Sequence, residues 1–425
     1  MITLFPHQTN ALEQTETQNK VAYYLDMGLG KTFVGSEKMK QLDGKINLVI
    51  CQKSKVQDWV EHFREHYLNQ YFIVYNMTTW EKADWNGLKN WTNDRLFTDV
   101  FIINYDLIFR RPELAKIHFD TIMLDESSLI QNETSKRSRF ILKKLQHDNC
   151  ILLSGTPTGG KYEKLYSQCK LLGWKISKEA FWNTYVKYHY DLNNGFPLKI
   201  VDGYKNVDRL KSKLREHGAV FMKSEEVFDL PQQIFTNIKV KTTPEYNKFK
   251  KTCIVEYDGK EFVGDTTLTK MLYERMLCGY ANAEKVKAFT DLVSSTDDRL
   301  IVFYNFVNEL KTLIEVVGDR PISIVSGEQK DLTEYENSEN SVTFIQYQAG
   351  SMGLNLQKAN KIVYFTPPLS SEMFEQSKKR THRIGQEKTC FYYKLICKNS
   401  IESKIYKTLE MRKDYTEKLF ENEGF

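Results

Sequence analysis

The segment LDMGLGKT, residues 25–32, has the glycines, lysine and threonine of a phosphate-binding loop. Gly28 and Gly30 permit a turn that directs successive backbone N–H groups inward, and a helix beginning near Lys31 adds the positive end of its dipole. The Lys31 ammonium would reach the β- and γ-phosphates of a nucleotide, and the Thr32 hydroxyl would hold Mg²⁺. Because the segment lies between a predicted strand and a predicted helix, we favour a phosphate site over a surface turn, although its first residue is leucine where the full motif has glycine.

An acidic pair, Asp125 and Glu126, ends an apolar run that predicts a buried strand. Carboxylates at the end of a buried strand are costly unless a cation meets them, which argues against a simple solvated strand end. Asp125 can coordinate Mg²⁺ through water, and Glu126 can then polarise the water that attacks the phosphate. The pair therefore predicts the hydrolytic half of the same site.

Two further motifs bear on this site. The turn SGTP, residues 154–157, follows another buried strand and is expected beside the phosphates at the carboxyl edge of the sheet. Arg380 and Arg383 are three residues apart in a segment of helical pattern, so we expect both guanidinium groups on one helical face, where they suit a γ-phosphate. A basic solvated helix is the alternative. We prefer the phosphate role because the first half of the chain lacks an arginine partner for the phosphates, and a cleft between two sheets would supply one.

The elements that must position these residues follow an α/β pattern. Short β-branched and aromatic runs alternate with helical segments in the first part of the chain and again from Arg299 onward, which predicts two parallel sheets covered by helices. Residues 161–228 carry aromatic, Lys and Leu residues at helical spacing, which predicts a helical protrusion followed by a linker near Pro231. The expected domains are a lobe at 1–160, the protrusion and crossover linker at 161–232, and a second lobe at 233–425 with a helical insertion near 244–290.

Composition excludes several classes of protein. The 60 Lys and Arg residues exceed the 55 Asp and Glu residues by only five, so any polyanion site must be a local patch. The seven cysteines never form a C-x-x-C pair, which argues against a disulfide framework or a zinc site. The sequence shows no signal peptide and no apolar run of membrane-spanning length, so we expect a soluble, cytoplasmic protein and no membrane partner.

These motifs together resemble the Swi/Snf-related family of ATP-dependent DNA translocases, in helicase superfamily two, over nearly the whole chain. The segment PHQ is similar to the family's adenine-reading glutamine motif, and MGLGKT to its P-loop. The segments VICQKSKVQDWVEHF, FDTIMLDESS, LLSGTPTGGKYEKLYS and VFMKSEEVFDLPQQ resemble four more family motifs in order. The most specific match is QYQAGSMGLNLQ followed by FEQSKKRTHRIGQ, in which Arg380, Arg383 and the trailing RIGQ fit the family's final motif.

The resemblance implies two RecA-like lobes in tandem, with ATP and Mg²⁺ in the cleft and double-stranded DNA across both. The catalytic residues that it implies are Lys31, Asp125, Glu126, Arg380 and Arg383. Nucleotide binding would use Gln8, Met27, Gly28, Leu29, Gly30, Lys31, Thr32, Gly353, Asn355, Arg380 and Arg383, and the metal would be held by Thr32 and Asp125. The expected contacts to the DNA backbone are Lys53, Ser54, Tyr105, Gly350 and Ser351, with little sequence preference because a moving motor cannot depend on base identity.

The chain also departs from the family pattern. Where the family commonly has Asp-Glu-Ala-His, this chain has Ser127 and Ser128 after the two acids, so the histidine that links hydrolysis to the SGTP motif is absent. The chromatin-reading domains and long insertions of eukaryotic members are also missing, so a compact bacterial or bacteriophage member fits best. A separate nuclease or replication protein could recruit such a motor, which we expect to be a monomer.

The predicted activity is therefore DNA-stimulated ATP hydrolysis that drives translocation on duplex DNA. Two alternatives stay open at this point. One is a helicase that separates DNA or RNA strands, and the other is a non-motor adaptor that binds DNA and uses ATP only to fix its shape.

Overall fold

The computed structural model describes residues 2–67, 72–88, 91, 97–193, 196–349 and 354–420. The chain divides into two compact units. The second is Phe228–Lys413, which begins a few residues before the predicted start of the second lobe, and the end of the chain from Asp414 groups with the first unit rather than with the predicted second lobe. Each unit is built on a seven-stranded sheet in which parallel pairs dominate. The predicted α/β class with two parallel sheets in tandem is confirmed.

The described residues of the first unit form nine strands. They are β1 (Lys20–Leu25), β2 (Ile46–Cys51), β3 (Phe72–Asn76), β4 (Thr98–Asn104), β5 (His118–Asp125), β6 (Gln146–Leu153), β7 (Val186–Asn193), β8 (Phe196–Tyr204) and β9 (Ala219–Met222). Seven of them form a sheet in the order β3-β4-β2-β5-β6-β1-β9, and every pair in it is parallel. Strands β1, β5 and β6, which precede the three predicted motifs, are therefore neighbours in the middle of the sheet.

Helices cover both faces of this sheet, as the near-continuous burial of β1 and β2 requires. They are α1 (Pro6–Glu13), α2 (Lys31–Gln41), α3 (Val56–Tyr67), α4 (Lys82–Gly87), α5 (Tyr105–Ile108), α6 (Lys136–Lys143), α7 (Tyr166–Leu171), α8 (Lys178–Tyr185) and α9 (Val207–Glu216). Helix α3 illustrates the pattern, because Val56, Trp59, Val60 and Phe63 recur at three- and four-residue spacing and all are buried. Its charged residues lie on the other face.

The segment between residues 161 and 232 is not purely helical, contrary to the sequence-based expectation. It contains α7, α8 and α9, but β7 and β8 form an antiparallel hairpin between α8 and α9. Strand β9 then returns to the edge of the first sheet beside β1. The missed signal was the alternation of residues 186–192 before an Asn-Gly pair, which favours a hairpin over a helix.

Nine strands also occur in the part of the second unit that the structure describes. They are β10 (Gln233–Val240), β11 (Ile254–Tyr257), β12 (Lys260–Val263), β13 (Leu300–Tyr304), β14 (Ile322–Val325), β15 (Lys330–Asp331), β16 (Val342–Gln346), β17 (Lys361–Tyr364) and β18 (Cys390–Cys397). The sheet order is β10-β18-β17-β13-β16-β14-β15, and only the β14–β15 pair is antiparallel. Strands β11 and β12 form a separate hairpin within the expected insertion.

The remaining helices are α10 (Pro244–Thr252), α11 (Thr267–Cys278), α12 (Ala283–Ser294), α13 (Val307–Val316), α14 (Thr333–Asn337), α15 (Ser371–Lys378) and α16 (Ile401–Phe420). All belong to the second unit except the part of α16 from Asp414 onward, which groups with the first. A fully buried ion pair ties α12 to α16, with 2.6 Å between Lys285 Nζ and a Glu402 carboxylate oxygen. The other oxygen of Glu402 accepts the backbone N–H of Cys397 at 2.9 Å. The two buried charges thus balance each other, and the backbone N–H group satisfies the second carboxylate oxygen, as burial of a charge requires.

All seven cysteines are free thiols in the structure, and all but Cys253 are buried, as expected of packing residues. Among the described residues, no helix combines the length and apolar character needed to cross a membrane.

Gly218 ends α9 and sets the approach of the chain to β9. Its φ is +86°, its N–H bonds to the Arg215 carbonyl, and its own carbonyl accepts the Ala22 N–H at 2.8 Å. A Cβ at this position would lie 2.3 Å from the backbone oxygen of Lys20. We therefore expect Gly218→Ala to lower the free energy of unfolding by ~3 kcal/mol in urea titrations.

Gly173→Ala is the matched control for this prediction. Gly173 has a similar φ of +81°, but its added Cβ would meet only the flexible Lys20 side chain at 3.6 Å. It should cost about 1 kcal/mol, the usual penalty for a left-handed alanine. Equal losses of unfolding free energy in the two variants would contradict the proposed clash between a Cβ at residue 218 and the backbone oxygen of Lys20.

Candidate nucleotide-binding site

The glycine-rich loop leaves the carboxyl end of β1 and leads directly into α2. Gly28 and Gly30 have φ angles of +89° and +71°, and Gly30 caps the helix that begins at Lys31. This left-handed turn places the N-terminus of α2, with the backbone N–H groups that begin the helix, beside the loop. The loop thus has the backbone geometry of an anion-binding site.

The ammonium group of Lys31 lies above this turn. Its Nζ donates hydrogen bonds to the carbonyl oxygens of Leu25 at 2.7 Å and Asp26 at 3.0 Å. A Cβ on Gly155, in the SGTP turn, would lie 3.4 Å from the same nitrogen. Lys31 therefore lies between the ends of β1 and β6. Phosphate oxygens could replace the two carbonyl oxygens as hydrogen-bond acceptors for its ammonium group.

The two acids lie at the end of β5, between the ends of β2 and β6. Asp125 accepts a hydrogen bond from Trp59 Nε1 at 2.9 Å. Burial raises the pKa of Asp125 above its usual range, and the Trp59 bond and the Lys31 charge oppose this shift only in part. Burial and then the Asp125 charge raise the pKa of Glu126 as well. The negative charge of this buried carboxylate pair is balanced only in part by cationic side chains. A divalent cation with a polarised water would stabilise such a pair.

Glu126 is bound by two serine hydroxyls. Ser128 Oγ donates to one oxygen of its carboxylate at 2.9 Å, and Ser154 Oγ donates to the same oxygen at 2.8 Å. The Ser154 hydroxyl in turn accepts the Thr156 N–H at 3.2 Å. The acidic motif is therefore hydrogen-bonded to the SGTP turn without the histidine that the resemblance led us to expect.

The raised pKa values of the two acids predict an acid limit to catalysis. In the roles that the resemblance implies, both groups must be ionised, so ATP turnover should fall with decreasing pH at values above pH 4 to 4.5, roughly where free carboxyls titrate. The folding stability changes with pH in the opposite direction. Because the folded-state pKa lies above the unfolded one, protonation favours the folded state, and stability of the nucleotide-free protein should decline as pH rises through the folded pKa.

Both effects can be measured on the same preparation. A pH series of ATP turnover gives the acid limit, and urea titrations at the same pH values give the stability. In Asp125→Asn the decline in stability with rising pH should become smaller, because one of the two buried charges is gone. An unchanged pH dependence of stability in this variant would contradict the assignment.

Gln8 reaches the loop from α1. Its Nε2 donates to the Leu29 carbonyl at 3.2 Å, and its Oε1 accepts the Phe5 N–H at 2.9 Å. His7 Nε2 also lies 3.1 Å from the Leu29 oxygen. The predicted adenine-reading residue is thus placed beside the phosphate loop, which is compatible with a role in nucleotide binding.

Ser224 is a site residue that the sequence did not single out. Its N–H bonds to the Asp26 carboxylate at 3.1 Å, and its hydroxyl donates to the Met27 carbonyl at 3.2 Å. The segment that follows β9 therefore supports the phosphate loop from the outside. The contact joins residues almost 200 positions apart, and no local pattern in the sequence could have indicated it.

The three predicted DNA contacts of the first unit differ in their exposure to solvent. Lys53 and Ser54 are exposed in a 3₁₀ helix, Lys53–Lys55, that follows β2, so both remain candidates. Tyr105 is only 2% exposed, and its hydroxyl donates to the Asp125 carbonyl at 2.9 Å. Its side chain therefore supports the acidic strand end, and the structure argues against the predicted side-chain contact with DNA. Gly350, Ser351 and Gly353 lie outside the described residues.

In the second unit, Arg380 and Arg383 follow the end of α15. The helix stops at Lys378, so the expectation that both arginines share one helical face is wrong. The chain turns instead, and Arg380 is 2% exposed whereas Arg383 is half-buried. Arg383 Nη1 donates to the Asn355 side-chain oxygen, which brings together two of the predicted nucleotide-binding residues.

Gln386 fixes this turn. Its Nε2 donates to the carbonyl oxygens of Gln357 at 3.0 Å and Ala359 at 2.9 Å. The Leu356 N–H bonds to the Arg380 carbonyl at 3.0 Å. The RIGQ segment therefore ties the turn that contains Arg380 and Arg383, the arginine turn, to the loop that precedes β17. Tertiary hydrogen bonds thus position both arginines.

The chemistry of these groups fits ATP and Mg²⁺. The first unit offers a left-handed glycine turn at a helix N-terminus, a lysine and a buried carboxylate pair at three adjacent strand ends. Thr156 Oγ1 is buried in the SGTP turn and bonds to no other described residue. Such a hydroxyl remains available to a polar ligand.

Two families match the chain in sequence. Residues 19–284 match the SNF2-related domain, and residues 284–385 match the helicase conserved C-terminal domain. A chain named "Uncharacterized ATP-dependent helicase" of Mycoplasma pneumoniae is 23% identical over 89% of this chain and 38% of its own length. The ISWI chromatin-remodeling complex ATPase ISW2 of Saccharomyces cerevisiae is 25% identical over 91% of this chain and 38% of its own. The chain thus spans less than two fifths of each of these two relatives.

A relative from Bacillus subtilis, named "Uncharacterized ATP-dependent helicase YqhH", is 22% identical over 96% of this chain and 78% of its own length. A solved structure, "Sulfolobus solfataricus SWI2/SNF2 ATPase core in complex with dsDNA", is 20% identical and superposes with a TM-score of 0.46, covering 98% of this chain and 92% of that one. The SNF2-related match alone covers more than half of the chain. It confirms the resemblance derived from the motifs, and the chain belongs to the SNF2-related family.

Proposed function

We propose that the chain is an ATP-driven motor that hydrolyses ATP to translocate on double-stranded DNA. The observation that carries this proposal is the meeting of the glycine turn, the acidic pair and the SGTP turn at the ends of β1, β5 and β6, with Lys31 between them. The family match and the helicase and remodelling ATPase names of the relatives support the choice of DNA.

Each residue of the first unit has a distinct role in this proposal. Lys31 and the backbone N–H groups of the loop bind the β- and γ-phosphates of ATP. Glu126 takes a proton from the attacking water, and the hydroxyls of Ser128 and Ser154 hold its carboxylate in position. Thr32 and Asp125 would hold Mg²⁺, which when bound neutralises charge on the phosphates.

The second unit contributes the arginines. We assign Arg383 to the γ-phosphate, where a guanidinium stabilises the charge that develops in the transition state. Arg380 is more buried and assists from the same turn. ATP binding favours the closed arrangement of the two lobes and hydrolysis favours the open one, so that alternating grip moves the lobes along DNA.

The DNA contacts proposed for the first unit are Lys53 and Ser54. Both are exposed directly after β2, at the carboxyl edge of the sheet that carries the ATP site. A lysine and a hydroxyl suit phosphate oxygens rather than base edges, so binding should depend little on sequence.

A triplex-displacement assay tests translocation. A motor on duplex DNA should displace a third strand in the presence of ATP, whereas Lys31→Ala, which should lose nucleotide binding, should not. If duplex DNA stimulates hydrolysis and the third strand stays bound, the chain is an ATP-switched adaptor instead. Release of a strand from forked DNA or RNA, with no triplex displacement, would establish a strand-separating helicase.

A further inference from the structure

Gln168 lies in α7, the first helix after the SGTP turn, and its side chain joins three separate elements of the first unit. Its Oε1 accepts the Ser127 hydroxyl at 2.9 Å and the Tyr24 hydroxyl at 2.9 Å. Its Nε2 donates to the Pro157 carbonyl at 2.8 Å. One amide therefore connects the residue after Glu126, strand β1 and the end of the SGTP turn.

Every polar atom of this bridge is withdrawn from water. Gln168, Ser127 and Tyr24 are all 0% exposed. Two buried hydroxyls need an acceptor and a buried carbonyl needs a donor, and a glutamine amide supplies both from one side chain. Because an unmade hydrogen bond at such a site is costly, the three elements are held in a fixed relation.

The bridge connects the acidic end of β5 to the SGTP turn, so its role extends beyond packing of the core. Ser127 follows Glu126 directly, so a displacement of the acidic strand end on ATP binding or hydrolysis also displaces the Ser127 hydroxyl. Pro157 ends the turn that contains Ser154 and Gly155, which lie against Glu126 and Lys31. Helix α7 leads from this turn into the α8, hairpin and α9 segment.

The bridge is also independent of the carboxylate. The bond between Glu126 and Ser154 involves the group that acts on water, so it is open to disruption during the reaction. The bonds of Gln168 to Ser127, Tyr24 and Pro157 involve neither carboxylate of the acidic pair. The chain has serine at residue 127 where the family commonly has alanine, which supplies the hydroxyl on which the bridge depends.

We propose that Gln168 is a positioning residue that transmits the position of the acidic strand end to the SGTP turn and α7. In this way it sets how strongly DNA stimulates ATP turnover. This inference rests on the proposed function of the chain as a DNA-stimulated ATPase.

The test compares the ratio of DNA-stimulated to basal turnover in Ser127→Ala, Gln168→Leu and the double variant, each in the full chain. Ser127→Ala and Gln168→Leu should each lower the ratio by about five- to tenfold, the size of an ordinary coupling between sites. The KM for ATP should stay the same, since no bond of the bridge reaches the loop that binds the phosphates. The double variant should be no worse than Gln168→Leu, because both changes interrupt one path.

Tyr24→Phe is the matched control. It removes the other hydroxyl that bonds to the same Oε1, but it leaves the line from Ser127 through Gln168 to Pro157 intact. Its stimulation ratio should equal that of the unaltered chain. A loss in Tyr24→Phe as large as that in Ser127→Ala would show that Gln168 acts through packing alone and would overturn the inference.

The remaining outcomes are also decisive. Effects of Ser127→Ala and Gln168→Leu that multiply in the double variant would contradict a single path, and an unchanged ratio in both would contradict any positioning role. If Gln168→Leu fails to fold by circular dichroism, Ser127→Ala and Tyr24→Phe still give the comparison. Failure of the proposed function is distinguishable, because the unaltered chain itself would then show no stimulation by DNA.

Discussion

Replacing Arg383 by alanine should lower the kcat for ATP by a factor of roughly 10³ to 10⁵, the usual contribution of an arginine that contacts a transferring phosphoryl group. ATP binding should remain measurable, because the phosphate loop and Lys31 belong to the first unit. The Arg383 side chain is half-buried, and this burial lowers the pKa of its guanidinium. A charge partly withdrawn from water acts more strongly on a phosphate. Single-turnover hydrolysis and the binding of a fluorescent ATP analogue measure the two quantities separately.

Arg299→Ala is the control for this variant. Arg299 also belongs to the second unit and donates to a backbone carbonyl, that of Tyr335, at 3.0 Å. It precedes β13, at the amino end of the strand, whereas the arginine turn follows α15. Its turnover should be close to that of the unaltered chain. Near-normal turnover in Arg383→Ala would refute the catalytic role, and an equal loss in both variants would point to damage to the fold.

Replacing Glu126 by glutamine should lower kcat by about 10² to 10⁴, the range expected when a general base is removed. The amide oxygen can still accept the hydroxyls of Ser128 and Ser154, so the local geometry should persist. Loss of one negative charge beside the phosphates should leave ATP binding as tight or tighter. Steady-state turnover and equilibrium binding of ATP test both expectations.

The matched control is Glu163→Gln in the same unit. The Glu163 carboxylate also accepts a hydroxyl hydrogen bond, from Tyr204 at 2.7 Å, and it belongs to a 3₁₀ helix, Tyr162–Leu165, that follows the SGTP turn. Its kcat should change by less than about twofold, because the hydrogen bond altered in this variant joins Glu163 to Tyr204 and not to the acidic pair. A Glu126→Gln variant that hydrolyses ATP at the rate of this control would exclude Glu126 as the base.

The parts of the site that could be predicted from sequence are those in which chemistry restricts both residue type and spacing. A glycine turn with lysine and threonine, and two acids after a buried strand, have few alternative uses. Their placement at one edge of the sheet follows, because the carboxyl ends of parallel strands meet there. The order of the strands itself came only from the structure.

The arginine turn shows where local pattern fails. The sequence after Lys378 has no glycine or proline before Gly385, so its charge spacing favoured a longer helix. The helix ends earlier because Gln386 and the Arg380 carbonyl bond to the loop before β17. Tertiary hydrogen bonds of this kind override local propensity, and they leave no periodic signal.

The role of the serines after the acidic pair shows the same limit. From sequence, the absence of the family's histidine placed the link to the SGTP motif in doubt. In the structure, Ser128 and Ser154 bond to one carboxylate oxygen, and Ser127 reaches Gln168 across 41 positions of chain. A contact over such a separation could be recognised only once the fold had brought the residues together.

The most direct test of the central claim is ATP turnover by the unaltered chain at increasing concentrations of duplex DNA, with single-stranded DNA and RNA of the same sequence alongside. We predict turnover that rises and saturates with duplex DNA and responds less to the other two nucleic acids. No turnover under any of these conditions, or turnover that duplex DNA does not change, would contradict the claim that the site at β1, β5 and β6 drives a motor on double-stranded DNA.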